Sequence, residues 1–140
     1  MAMIKKILVP TDYSDVSSKG VRYARELAKE IGAELVIINI VTLDESNLIN
    51  KREMEEHRRQ LDDFVATHVA EAGSDLKIRK VVEVGQPDTT LAHWADNEGI
   101  DLIIMSSHGR SGLSRVVMGS VTEQTLRKSR CPVLVVPLER

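Results

Sequence analysis

The chain has 140 residues, a length that suits one domain with its own core, and residues 1–140 are expected to form that single domain. Apolar residues make up 42% and charged residues 29%, which excludes an intrinsically disordered chain. The net charge is −2 with both signs mixed along the sequence, so there is no basic face of the kind a dedicated nucleic-acid binder carries.

A single cysteine, Cys131, cannot form an internal disulfide, and nothing calls for an oxidising compartment. Met1–Lys6 leads into a short apolar run that stops at Pro10-Thr11-Asp12, unlike the layout of a signal peptide. No apolar stretch approaches the roughly 20 residues of a membrane span. A cytoplasmic location is therefore expected.

The chain begins with a Val/Ile-rich run, Ile7–Val9. A helical stripe follows, with Val21, Ala24, Leu27, Ala28 and Ile31 on one face and Gly32 as its stop. The next apolar run is Leu35–Val41. Residues 42–53 are the least defined part and read as a loop leading into a second helix. That helix carries Met54, Leu61, Phe64, Val65, His68 and Val69 on one stripe and charges elsewhere. After the run Ile78–Val84, Pro87 opens a third helix with Leu91, Ala92 and Ala95 facing inward and Gly99 ending it. Leu102–Met105 is a fourth apolar run. Ser120-Val121-Thr122-Glu123 reads as a capping box that starts a last helix through about Ser129. Val133–Val136 closes the series. The runs are nearly continuous rather than alternating, as strands covered on both faces are. Strands alternating with helices in this way predict an α/β fold with a parallel sheet, right-handed crossovers and helices on both sides.

In such folds ligands bind beyond the carboxyl ends of the strands, where the strand order reverses. The segments following the first and fourth runs are rich in Gly, Ser and Asp. In residues 106–120, Gly109 and Gly112 allow positive φ and close approach of a ligand to main-chain N–H groups. Gly119-Ser120 stands at the start of the last helix, where free N–H groups and the helix dipole favour an anion. Ser106, Ser107, Ser111, Ser114 and Ser120 offer hydroxyls, and Arg110 and Arg115 offer positive charge. Together these suit a polyphosphate, although a Gly-Ser before a helix also reads as a plain N-cap. The loop is neither a P-loop, for no Gly-Lys-Ser/Thr follows, nor a dinucleotide fingerprint.

Four segments together resemble the universal stress protein family: Ile-Leu-Val-Pro-Thr-Asp at 7–12, Gly-Gln-Pro at 85–87, Ser-x-x-Gly-x9-Gly-Ser at 106–120, and Cys-Pro-Val-Leu-Val-Val-Pro at 131–137. The resemblance covers the whole chain in register. It implies a three-layer sandwich with a five-stranded parallel sheet of order 3-2-1-4-5 and two helices on each face. In the nucleotide-binding branch of that family the pattern Gly-x-x-Gly-x9-Gly-Ser/Thr holds ATP, and this chain is expected to join that branch. Carried over by position, Gly109, Gly119, Ser120 and Val121 hold phosphates, mostly through backbone amides. Pro10, Thr11 and Asp12 line the adenosine side, with Asp12 near the ribose or a metal-linked water. Ile40 meets the adenine edge through its backbone. Ser106, His108 and Arg110 complete the expected binding set, and the ligand is ATP, alone or with Mg or Mn.

Ser106 stands where the pattern has glycine. If that position needs positive φ or close approach, a serine costs roughly 1 kcal/mol or more. If there is room, its hydroxyl donates to the ligand. Both readings are open at this point.

The expected function is an adenine-nucleotide binding regulator or sensor in the stress response. One alternative is an enzyme of the adenosine-binding α/β group, or a slow ATP hydrolase; the sequence places one carboxylate, Asp12, where a metal-assisted reaction would need several groups. The other is a structural or interaction protein with an empty loop. Val133, Leu134, Val135 and Val136 would form an apolar edge strand, and such edges tend to be covered or paired. The resemblance implies antiparallel pairing of this strand with its copy in a homodimer. His57 and His68, on or near the inner face of the second helix, lack metal-ligand spacing and read as packing residues. Trp94 reads as helix packing, and Cys131, with no base beside it, as an unreactive thiol.

Overall fold

The computed structural model describes residues 3–42, 49–71, 74–108 and 119–137. Five β-branched runs form strands: β1 (Lys6–Pro10), β2 (Glu34–Val41), β3 (Ile78–Val84), β4 (Leu102–Ser106) and β5 (Val133–Val136). Between them lie α1 (Asp15–Ile31), α2 (Lys51–His68), α3 (Pro87–Asn97) and α4 (Ser120–Lys128). The sheet order is β3-β2-β1-β4-β5, and every pairing is parallel. This is the order that the resemblance implies.

Two apolar layers explain the continuous runs. On one face Val21, Ala24 and Ala28 of α1 and Leu61, Phe64 and Val65 of α2 pack against Ile7, Val9, Leu35, Ile37 and Ile104. On the other face Leu91, Trp94 and Ala95 of α3 pack against Leu8, Val36, Ile38, Ile103 and Met105. Helix α4 lies beside α3, and the ion pair of Lys128 with Asp88 joins their ends. Successive strand residues serve opposite layers, so β1 and β2 have no solvated face and need no polar alternation.

Local signals set the helix ends. The Ser14 hydroxyl caps α1 by accepting the Ser17 N–H at 3.1 Å, and Gly32, with φ 75°, ends it in the left-handed conformation. Asn50 caps α2 through the Glu53 N–H at 2.9 Å. Pro87 is the first residue of α3, where a missing N–H costs nothing.

Two expectations are corrected. The capping box at Ser120 and Glu123 does not form. Ser120 is already helical, the cap position falls on Gly119, which has no side chain to cap with, and Glu123 pairs with Arg127 at 3.1 Å. His68 is not on a covered face: it is exposed on the last turn of α2, with its ring against Phe64 at 4.7 Å. Ile31, at the end of its own stripe, is likewise 37% exposed. Periodicity reports the side of a helix and not whether a neighbour reaches its last turn. Of the ill-defined stretch 42–53, residues 43–48 lie outside the described residues. Among the described residues, no helix is long and apolar enough to cross a membrane.

Ile37 is fully buried in β2. Ile37→Ala is expected to cost about 2–5 kcal/mol in urea unfolding, whereas Ser14→Ala, which removes a cap from an otherwise intact helix, is expected to cost about 1 kcal/mol.

Candidate functional site

β1 sits in the middle of the sheet, with β2 on one side and β4 on the other. The connections leaving β1 and β4 therefore diverge, and the crevice between them is the switch point of the sheet. A pocket of about 350 Å³ opens there.

The loop after β1 forms one wall, with Pro10, Thr11 and Asp12. Thr11 is held on every side. Its N–H donates to the Ile38 carbonyl at 2.9 Å, and its carbonyl accepts from the buried Asn39 amide at 2.9 Å. Its hydroxyl lies 3.2 Å from Ser17 Oγ and accepts the Tyr13 N–H at 3.0 Å. Asp12 does not cap α1 itself. Its Oδ1 accepts the Ser14 N–H at 3.0 Å and the Ser14 hydroxyl, and so positions the residue that does.

Tyr13 follows in a left-handed conformation, φ 67°, which costs of order 1–3 kcal/mol for a non-glycine residue. Its ring meets Phe64 edge-on at 5.4 Å, and its buried hydroxyl has no partner. That burial pushes the phenol up from 10.0 to about 12.

Ile40, half-buried at the end of β2, contributes the opposing strand end to the pocket. Pro87, Leu91 and Met105 add apolar surface, and Thr122 of α4 closes the lining near Gly119, Ser120 and Val121. Gly119 donates its N–H to the Ser107 carbonyl at 2.7 Å, and Ser107 donates its own N–H to the Val136 carbonyl at 2.8 Å. These bonds fix the start of α4 against β4 and β5.

Ser106 and His108 both line the pocket but in different ways. The Ser106 hydroxyl donates to the Val16 carbonyl at 2.8 Å and accepts the Gly20 N–H at 3.1 Å, so it is engaged by α1. His108 is 5% exposed. Its Nδ1 is 3.0 Å from Ser107 Oγ, while its Nε2 is buried with no hydrogen-bond partner among the described residues. A buried ring nitrogen left unpaired costs about 1–3 kcal/mol.

The structure thus brings together Pro10, Thr11, Asp12, Ile40, Ser106, His108, Gly119, Ser120 and Val121 around one cavity. Gly109 and Arg110 lie outside the described residues, as do Ser111, Gly112, Ser114 and Arg115. Ser17, Pro87, Leu91, Met105 and Thr122 join the lining without having been singled out for it from the sequence. Leu91 and Met105 belong to the core and to the pocket at once, which periodicity cannot distinguish. Asn39 did carry a signal, as the one polar residue inside the run Leu35–Val41. Among the described residues, no group of three or more His, Cys, Asp or Glu could hold a metal ion. Two larger depressions, of about 580 and 590 Å³, lie elsewhere on the surface and hold no such unpaired buried group.

A parallel α/β sheet with a pocket at its switch point defines a doubly wound ligand-binding architecture. The sequence pattern of the universal stress protein family matches residues 3–137, and the chain belongs to that family. Universal stress protein MJ0531 of Methanocaldococcus jannaschii is 34% identical to it, over 96% of this chain and 82% of its own length. The solved structure of MJ0577 from the same organism covers 99% of both chains with a TM-score of 0.81 at 28% identity. A universal stress protein solved in complex with cAMP covers 97% of this chain and 98% of its own, with a TM-score of 0.68 at 26% identity.

The Tyr13 phenol gives a pH test. The unfolded chain ionises this group near its ordinary value of 10.0, whereas the folded chain holds the proton until about 12. Stability is therefore expected to fall as pH rises past 10.0 and to level off above about 12. The wild-type urea midpoint should fall relative to that of Tyr13→Phe across that window. A pH-independent difference would exclude this origin.

Proposed function

We propose that the chain is an adenine-nucleotide binding regulator or sensor of the stress response, acting as a homodimer in the cytoplasm. One observation carries the reading: His108, whose ring Nε2 is buried and has no hydrogen-bond partner among the described residues, lines a pocket at the switch point of the sheet. A ligand with a hydrogen-bonding group at that depth would satisfy it. The apolar lining from Ile40, Pro87, Leu91 and Met105 suits a flat base, and the N-terminus of α4 suits an anion. The relative solved with cAMP supports an adenine nucleotide as the class of ligand.

Residue by residue, Pro10, Thr11, Asp12 and Ile40 take the adenosine side. Gly119, Ser120 and Val121, with Gly109 and Arg110, take the phosphates, and His108 reaches the ligand through Nε2. Ser106 touches it without its hydroxyl, which α1 already holds. ATP is the nucleotide proposed, with any Mg or Mn arriving on the polyphosphate. Regulation rather than turnover is the reading proposed here. For the dimer, β5 is an edge strand that pairs only with β4 within the sheet. Sedimentation at micromolar concentration should then report a dimer.

The direct test is mass spectrometry of the nucleotide released from purified protein, followed by calorimetric titration with ATP, ADP and AMP. His108→Ala is expected to weaken binding by about 1–3 kcal/mol. Gly119 has φ −63° and ψ 151°, a conformation open to any residue, so Gly119→Val should fold and lose about tenfold or more in affinity through bulk at the pocket. Wild-type affinity in both folded variants would sink the assignment.

A further inference from the structure

Ser106 ends β4 and ties together α1 and α4, two of the helices that line the pocket. Its carbonyl accepts the Thr122 hydroxyl of α4 at 2.9 Å. Its own hydroxyl bridges the Val16 carbonyl and the Gly20 N–H of α1. Those two groups are the ends of a single i→i−4 step, so the serine is inserted beside one rung of the helix ladder.

Gly20 makes this possible. It lies in the interior of α1, where glycine is intrinsically unfavourable relative to alanine. A Cβ built there would stand 2.9 Å from Ser106 Oγ and 3.1 Å from Ser106 N. Both distances are too short for undisturbed contact, and the second neighbour is backbone, which gives little. The hydroxyl thus occupies the room that any side chain at position 20 would need. The next turn of the same helix end carries Ser17, which lines the pocket and meets the Thr11 hydroxyl. Ser17 of α1 and Thr122 of α4 both line the pocket, so the approach of α1 to the end of β4 bears on its width.

We propose that Ser106 and Gly20 act as one positioning pair: the serine hydroxyl, seated in the room that Gly20 leaves, sets how closely α1 approaches β4 and α4, and through this the width of the ligand pocket. The pocket half of this proposal rests on the nucleotide reading above. The coupling half rests on the geometry alone.

A double-mutant cycle separates the two. Gly20→Ala, Ser106→Gly and the double variant are compared with wild type in thermal unfolding, and in AMP titration well below all four midpoints. The general helix advantage of alanine enters both Gly20→Ala steps and cancels in the cycle. Gly20→Ala should lower the midpoint in the wild-type background and raise it in the Ser106→Gly background, where the methyl fills the vacated room. AMP affinity should fall about tenfold in Gly20→Ala, a coupling of the size seen between residues in contact, and return towards wild type in the double variant. The same midpoint shift in both backgrounds overturns the pair. A destabilised Gly20→Ala chain with undiminished AMP affinity overturns the positioning role. If Gly20→Ala does not fold, a folded double variant supports the pair and an unfolded one overturns it. A wild-type chain that binds no adenine nucleotide overturns the nucleotide reading and the pocket half, while the coupling half is still decided by the midpoints.

Discussion

The pairing of β1 on both sides is the constraint from which the site follows. Ile7, Leu8 and Val9 are fully covered, between β2 and β4 in the sheet and between the two helical layers above and below. A strand in that position cannot fray. Pro10, with no N–H to give, and the clamped Thr11 bring it to a defined stop. The chain leaves for α1 on one face while β4 leads towards α4 on the other. The gap over the end of β1 is therefore a product of topology, present before any side chain is placed in it.

A polar network holds the edge of that gap. Thr11 joins β2 through Asn39 and Ile38, and joins α1 through Ser17; Asp12 holds Ser14, which caps α1. The left-handed backbone at Tyr13 is the cost of turning so sharply. It is offset by the N–H bond to Thr11 and by the ring contact with Phe64. Strain next to a ligand pocket, over-determined by its surroundings, is what a preorganised wall requires.

The sequence made the strands legible, because runs such as Leu35–Val41 are apolar without alternation, as strands covered on both faces are; their order came from the family resemblance. The site was legible at strand ends, where Pro10-Thr11-Asp12 and Ser106–His108 stand out by composition. What stayed hidden was the partner of each polar group. Ser120 and Glu123 fit a capping box by spacing, yet a shift of one residue in the helix start removes the cap. The sequence left the role of the Ser106 hydroxyl open, and its acceptor is a carbonyl ninety residues away in sequence. Gly20 gave no local sign of its use, for its neighbour is in β4 and not in α1. Periodicity and composition report burial and backbone preference. They carry no information on contacts across the sheet.

Ser106 and Ser107 are held by the fold through their polar groups, and His108 only in part. The Ser106 hydroxyl and carbonyl are spent on α1 and α4, and the Ser107 N–H and carbonyl on β5 and the start of α4. The Ser107 hydroxyl meets one ring nitrogen of His108, and the other has no hydrogen-bond partner among the described residues. An unpaired buried nitrogen destabilises the fold, and under the proposed function a ligand group that paired with it would remove the penalty. Binding and stability are then linked: the ligand raises the unfolding free energy by RT ln(1 + [L]/Kd).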